Sequence, residues 1–136
     1  MKNKIIFLVF GITLFLVSCE DANTSDKSQP KKGMIKVTIL YPNDTGKTFD
    51  MDYYANKHMP MLIDLFGDSL KRLEIDKGLS GRTSNDPIPY LAIGYLYFEN
   101  LVDYQNSFGP NAAKIRGDIP NYTNIKPIVQ ISKVVQ

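Results

Sequence analysis

The chain has 136 residues, of which 22% are charged and 43% are hydrophobic, and its formal net charge is +2 at neutral pH. Lys2 and Lys4 account for this excess, and the rest of the sequence has 14 basic and 14 acidic residues. Without a basic cluster, nucleic-acid binding is not expected. One cysteine excludes a disulfide within the chain, and one histidine disfavours a zinc or non-haem iron site of the usual composition.

The N-terminus resembles the signal peptide of bacterial lipoproteins. Its two lysines precede an uncharged run from Ile5 to Val17, which is shorter than the roughly 20 apolar residues of a membrane-spanning helix. The run leads into LVSC, at residues 16–19, which is similar to a lipobox with a small residue before the cysteine. We therefore expect residues 1–18 to be removed and Cys19 to carry a lipid anchor to the membrane of the bacterial cell envelope. The alternative is an ordinary signal peptide or membrane anchor that contains a cysteine.

Residues 19–33 are almost entirely polar, with proline and glycine among them. Such a segment cannot bury enough apolar surface to order itself, so it is predicted to be a flexible tether. Residues 34–136 then form one domain.

The domain sequence predicts six elements in the order βαββαβ. The first strand alternates, the first helix begins at an Asp50 N-cap and kinks near Pro60, and a second helix begins at an Asn100 N-cap. Pro110 is expected to start a further helical piece. The predicted elements are a strand at 34–41, a helix at about 51–67, strands at 70–78 and 90–99, a helix from 101, and a strand at 125–135.

This order predicts an α+β fold of the ferredoxin-like type, with helices on one face of a four-stranded antiparallel sheet. The small residues Ala92 and Gly94 let helices approach one face. Tyr95 and Tyr97 fall on the opposite, largely apolar face, which would be a sticky patch in water. Packing of this face against a second copy predicts a homodimer.

The stretch FDMDYYANKHMPML, at 49–62, resembles the opening helix of the EthD family, which has two tyrosines, three residues, histidine, one residue and proline. YLYFENLVDY and GDIPNYTN are similar to later segments of that family, so the resemblance covers nearly all of residues 34–136. It implies a dimeric α/β barrel with oxidoreductase-type or isomerase activity. A lipoprotein signal is not part of the family pattern.

His58 is the main candidate for catalysis. The apolar spacing places it on the buried stripe of the first helix, one turn after Tyr54, and Asp118 would approach from the DIPNYTN segment. An imidazole there can accept and return a proton from a phenol or an enolisable carbon. A buried histidine that only satisfies a carbonyl freed at Pro60 is the structural alternative.

Tyr95 and Tyr97, and with them Tyr41, are candidate ligand-pocket residues if they line a cavity, although strands favour aromatic residues in any case. No nucleotide-binding motif follows a strand, so no cofactor is expected, with haem on His58 left open. The expected partner is a small hydrophobic molecule. Two functions remain: an envelope enzyme acting on a hydrophobic or phenolic molecule, and a non-catalytic lipoprotein that binds such a molecule or a partner protein.

Overall fold

The computed structural model describes residues 29–136. The expected signal peptide, Cys19 and most of the tether lie outside the described residues. The four strands form one antiparallel sheet in the order β2-β3-β1-β4. The elements are β1 (Ile35–Pro42), the first helix (residues 51–66), β2 (Leu70–Lys77), β3 (Tyr90–Phe98), the second helix (Leu101–Asp118) and β4 (Ile128–Lys133). This confirms the predicted α+β, ferredoxin-like arrangement.

The two faces of β3 follow the predicted alternation. Ala92, Leu96 and Phe98 are buried on the face that the helices cover. On the opposite face the aromatic rings are partly screened by polar groups, because the Tyr97 hydroxyl donates to Glu74 Oε2 at 3.0 Å and Lys36 Nζ lies 5.3 Å from the centre of the Tyr95 ring. The homodimer through this face stays a prediction.

The first helix begins as its sequence predicts but changes form before its proline. The Asp50 side chain accepts a hydrogen bond from the Tyr53 backbone N–H at 2.9 Å, as an N-cap does. The helix is π-helical at Tyr54–His58, where the Met59 N–H donates to the Tyr54 carbonyl, and α-helical again at Met59–Phe66. Because Pro60 has no N–H to donate, the predicted kink takes the form of this wider turn.

The second helix is continuous, contrary to the expectation that Pro110 starts a new piece. Asn100 caps it through Asp103 N–H at 2.9 Å. Pro110 and Asn106, whose carbonyl loses its usual partner, are both exposed, so water can replace the missing bond. The unbroken helix therefore extends to Asp118.

A segment that crosses from the second helix to β4, residues 119–127, is tied to the start of the first helix. Asp50 N–H donates to the Tyr122 carbonyl at 2.7 Å, and the Thr123 hydroxyl donates to the Thr48 carbonyl at 2.7 Å. These bonds set the ends of both helices side by side. None of the helices within residues 29–136 is long and apolar enough to cross a membrane.

Candidate active site

His58 and Asp118 meet where the two helices come together. His58 is the last residue of the π-helical turn, and its side chain is 3% exposed. Asp118 ends the second helix and places Oδ2 at 2.8 Å from His58 Nδ1. The structure thus brings these two candidate residues into contact, and the aspartate comes from the end of the second helix and not from the crossing segment.

The Asp118 carboxylate is held by three donors. Oδ2 faces His58, while Oδ1 accepts from the Tyr53 hydroxyl at 2.9 Å and from Asn121 Nδ2 at 2.8 Å. Burial acts to raise the pKa of Asp118, but the hydrogen bonds from His58, Asn121 and Tyr53 outweigh it and lower that pKa below its ordinary value. Asp118 is therefore an anion at neutral pH.

Burial and the contact with Asp118 together determine which nitrogen of His58 carries a proton. Burial lowers the pKa of His58 below its ordinary value, and the nearby Asp118 only partly opposes this. The imidazole is then neutral at pH 7, with one N–H. Since a carboxylate can only accept, that N–H is on Nδ1 and the lone pair is on Nε2. His58 is thus prepared to accept a proton at Nε2.

Two tyrosines complete the site: Tyr41, which was a candidate if it lined a cavity, and Tyr122, which the sequence analysis did not single out. The Tyr122 hydroxyl lies 3.4 Å from His58 Nε2 and 2.8 Å from the Tyr41 hydroxyl. Because burial raises the pKa of both tyrosines, they are protonated donors throughout the physiological range. Tyr122 belongs to the DIPNYTN segment quoted above, and Tyr41 closes the buried face of β1, but no local signal showed that their hydroxyls meet.

Tyr54 lies on the buried face of the first helix beside His58, as the spacing predicts. Its ring stacks on His58, with centroids 5.7 Å apart and planes at 16°, and the residue is 0% exposed. Its hydroxyl makes no hydrogen bond of good geometry and lies against Gly94 on β3. Tyr54 therefore contacts the imidazole through the faces of the two rings, and its place in a hydrogen-bond network with His58 stays a prediction.

A cavity of about 530 Å³ opens between the sheet and the helices beside this site. His58, Tyr41 and Tyr122 form its polar wall, and most of its other lining residues are apolar or aromatic. Tyr95 and Tyr97, the predicted ligand-pocket residues, do not line it, because the strand alternation points them to the opposite face of the sheet. The cavity has the size and the composition of a small-molecule site.

Metal and haem ligation can be tested against the side chains. Within residues 29–136 no three His, Cys, Asp or Glu side chains are grouped so that they could hold a metal ion. A haem iron on His58 would bind Nε2, since Nδ1 is bonded to Asp118, but the Tyr122 hydroxyl lies at that nitrogen. The residues as placed do not fit an axial haem ligand.

The fold and site define an α+β, ferredoxin-like protein with a buried histidine–aspartate pair beside an apolar cavity. The chain belongs to the EthD family, since the EthD domain matches residues 43–125. It is similar in structure to an EthD-like protein from Ralstonia eutropha JMP134, with 37% identity, a TM-score of 0.73, and coverage of 78% of this chain and 96% of that one.

A second solved structure shows the fold alone. It is an ethyl tert-butyl ether D (EthD) family protein from Bacillus halodurans C-125, with 15% identity and a TM-score of 0.51 over 74% of this chain and 97% of that one. No curated protein matches the chain significantly.

Proposed function

We propose that the protein is an enzyme that moves a proton on a small hydrophobic molecule, a phenol or an enolisable carbonyl compound, with His58 as the general base. The observation that carries the proposal is the 2.8 Å contact of His58 Nδ1 with Asp118, which leaves Nε2 as the acceptor on the cavity wall. A base within hydrogen-bond reach of a substrate, with its other nitrogen oriented by a carboxylate, is the arrangement that general acid–base catalysis requires.

The reaction begins when a substrate O–H or C–H group takes the place of the Tyr122 hydroxyl, 3.4 Å away, as the neighbour of Nε2, and Nε2 accepts its proton. The Asp118 carboxylate stabilises the imidazolium that forms, because the two are already hydrogen-bonded. Tyr122, backed by Tyr41, can donate a hydrogen bond to the substrate oxygen on which negative charge develops. Return of the proton from Nε2 to another carbon completes an isomerisation with no change in oxidation state. An oxidoreductase reaction would start with the same deprotonation and would also need an electron acceptor.

The expected cellular setting belongs to the same proposal. A lipid on Cys19 would tie the domain to the membrane of the cell envelope, and a second copy would cover the sheet face that carries Tyr95 and Tyr97. Both ideas rest on sequence patterns, and neither changes the chemistry proposed for His58.

Deuterium exchange tests the proposal without knowledge of the natural substrate. A panel of enolisable ketones and lactones is incubated with the protein in D₂O, and deuterium at the carbon next to the carbonyl is measured by mass spectrometry. We expect exchange above background for a subset of the panel, reduced about 10²–10⁴-fold in His58→Gln, which is the usual contribution of a general acid–base group. Exchange that is undiminished in a folded His58→Gln protein would contradict the proposal.

The alternative is a non-catalytic lipoprotein that binds a small hydrophobic ligand or a partner protein. The apolar lining of the cavity favours it as a second candidate. Such a protein would bind members of the panel with no exchange, and His58→Gln would change only affinity. A purely structural histidine would instead show itself as a loss of stability of about 1–3 kcal/mol from unpaired buried groups.

A further inference from the structure

The mouth of the cavity differs in charge from its interior. The polar wall formed by His58, Tyr41 and Tyr122 is buried, whereas Arg116 and Lys126, which also line the cavity, are exposed. The exposed residues mark the open end, so the two cations lie at the entrance and the histidine lies inside.

These cations are not neutralised by acidic neighbours in the cavity. Its lining contains no aspartate and no glutamate. Among residues 29–136 the ion pairs are His58–Asp118 and Arg72–Glu74, so neither entrance cation is in an ion pair there. The entrance therefore carries an excess of positive charge over an otherwise apolar cavity.

Arg116 is also held in position by the aromatic wall of the cavity. Its guanidinium carbon lies 5.4 Å from the centre of the Phe108 ring, and Phe108 stacks on Tyr104 with ring centres 5.5 Å apart. The charge of Arg116 also acts on Tyr104, the next ring of this wall. Burial raises the pKa of Tyr104, and the positive charge of Arg116 opposes that rise because it stabilises the phenolate. A cation fixed over an aromatic ring is better placed to meet an anion than a free surface side chain.

We propose that the ligand of this cavity is an organic acid, with an apolar or aromatic body inside and an anionic group, such as a carboxylate, between Arg116 and Lys126. The reacting carbon or phenol then lies deeper in the cavity, beside the buried His58. The inference rests on the proposed function only in using the same cavity. Electrostatic attraction at the entrance also speeds the approach of an acid, as is usual for a cleft of one charge sign.

A matched pair of ligands tests the inference on the full chain. Naphthylacetic acid and naphthylacetamide share one apolar body and differ in charge, and isothermal titration calorimetry compares their binding. We expect the acid to bind more tightly than the amide. The double variant Arg116→Gln with Lys126→Gln should weaken the acid about 3- to 30-fold, as two partly exposed ion pairs would, and leave the amide unchanged. Raising the salt concentration should reduce the preference for the acid.

The control removes the same charge elsewhere. Lys57→Gln with Lys114→Gln changes two exposed lysines that do not line the cavity, so affinity for both ligands should be retained. Equal binding of acid and amide by the unmodified protein would overturn the inference, as would equal losses in both double variants or no binding of the acid at millimolar concentration.

The result is separable from the proposed proton transfer. His58→Gln should keep the preference for the acid while losing deuterium exchange. An acid preference without any exchange would therefore support this inference and contradict the catalytic proposal, and exchange without an acid preference would do the reverse.

Discussion

Replacing Asp118 with asparagine should move the ring proton of His58 from Nδ1 to Nε2. Oδ1 of Asp118 accepts from both Tyr53 and Asn121, so the amide oxygen of an asparagine must occupy that place. Its NH₂ group then faces His58 Nδ1, where the carboxylate Oδ2 was. Because an NH₂ group only donates, Nδ1 must become the acceptor and the ring proton must move to Nε2.

The cost can be worked out from the three bonds. The bonds from Tyr53 and Asn121 persist but become weaker because their acceptor loses its charge, and the bond to His58 is reversed. From the loss of charge-assisted bonding at the carboxylate we expect the free energy of unfolding to fall by about 2–3 kcal/mol at pH 7 with the fold retained. Since Nε2 can no longer accept a proton, turnover should fall about 10²–10⁴-fold. The pKa of His58 should fall further, because the only charge that raised it is gone.

Nuclear magnetic resonance gives a direct readout, because His58 is the only histidine in the chain. Long-range ¹H–¹⁵N spectra distinguish a protonated from an unprotonated ring nitrogen. They should show Nδ1–H in the unmodified protein and Nε2–H in Asp118→Asn. Asp64→Asn, an exposed change on the same helix as His58, is the control and should leave the spectrum as it was. Persistence of Nδ1–H in Asp118→Asn would refute the reasoning.

The pH dependence of stability follows from the same pair. The pKa of His58 is lowered in the folded state, so stability is fully present above about pH 6.5 and is lost as pH falls from there to the folded pKa. The pKa of Asp118 is also lowered, so a second loss begins below about pH 4. Urea unfolding should therefore show the difference between Asp118→Asn and the unmodified protein growing in the upper window, where the lower His58 pKa of the variant costs it more stability, and shrinking once Asp118 itself is protonated. A constant difference from pH 7 to pH 2 would contradict the assignment of charge to Asp118.

Four further predictions test other parts of the structure. Gly94→Ala should destabilise by about 1–3 kcal/mol in urea unfolding, because a Cβ there would lie 2.4 Å from the Tyr54 hydroxyl and 2.6 Å from Met59 Cε. Tyr54→Phe should leave stability unchanged or raised and should lessen the effect of Gly94→Ala, since the lost hydroxyl makes no hydrogen bond of good geometry. A large loss of turnover in Tyr54→Phe would support a catalytic role for Tyr54. Light scattering of the protein in mild detergent should give twice the monomer mass after the bound detergent is subtracted, and a stable monomer at micromolar concentration would leave the sheet face uncovered. Mass spectrometry of the membrane fraction should find a mature chain that begins at an acylated Cys19, and a different N-terminus would contradict lipidation.

The sequence by itself determined the elements and their faces, because these depend on neighbours along the chain. Asp50 and Asn100 cap their helices through N–H groups three residues away, so the caps could be recognised from residue type and spacing. The alternation in β3 likewise predicted that Ala92 and Phe98 face the helices, because successive strand residues point to opposite sides. At Pro110 the local sequence allowed either a new helix or a continuous one. The helix continues because Pro110 is exposed to water, and exposure depends on the tertiary structure.

The composition of the site depended on the tertiary structure. His58 and Asp118 are 60 residues apart in the chain, and only the packing of the end of the second helix against the middle of the first brings them within 2.8 Å. The same packing aligned Tyr122 with Tyr41, set Tyr54 in the core, and put the cavity on the face away from Tyr95. Residue type indicated that an imidazole was available for acid–base chemistry. The partners that set its protonation are long-range contacts, and the free energy that fixes them comes from burial of the whole domain and not from any local sequence pattern.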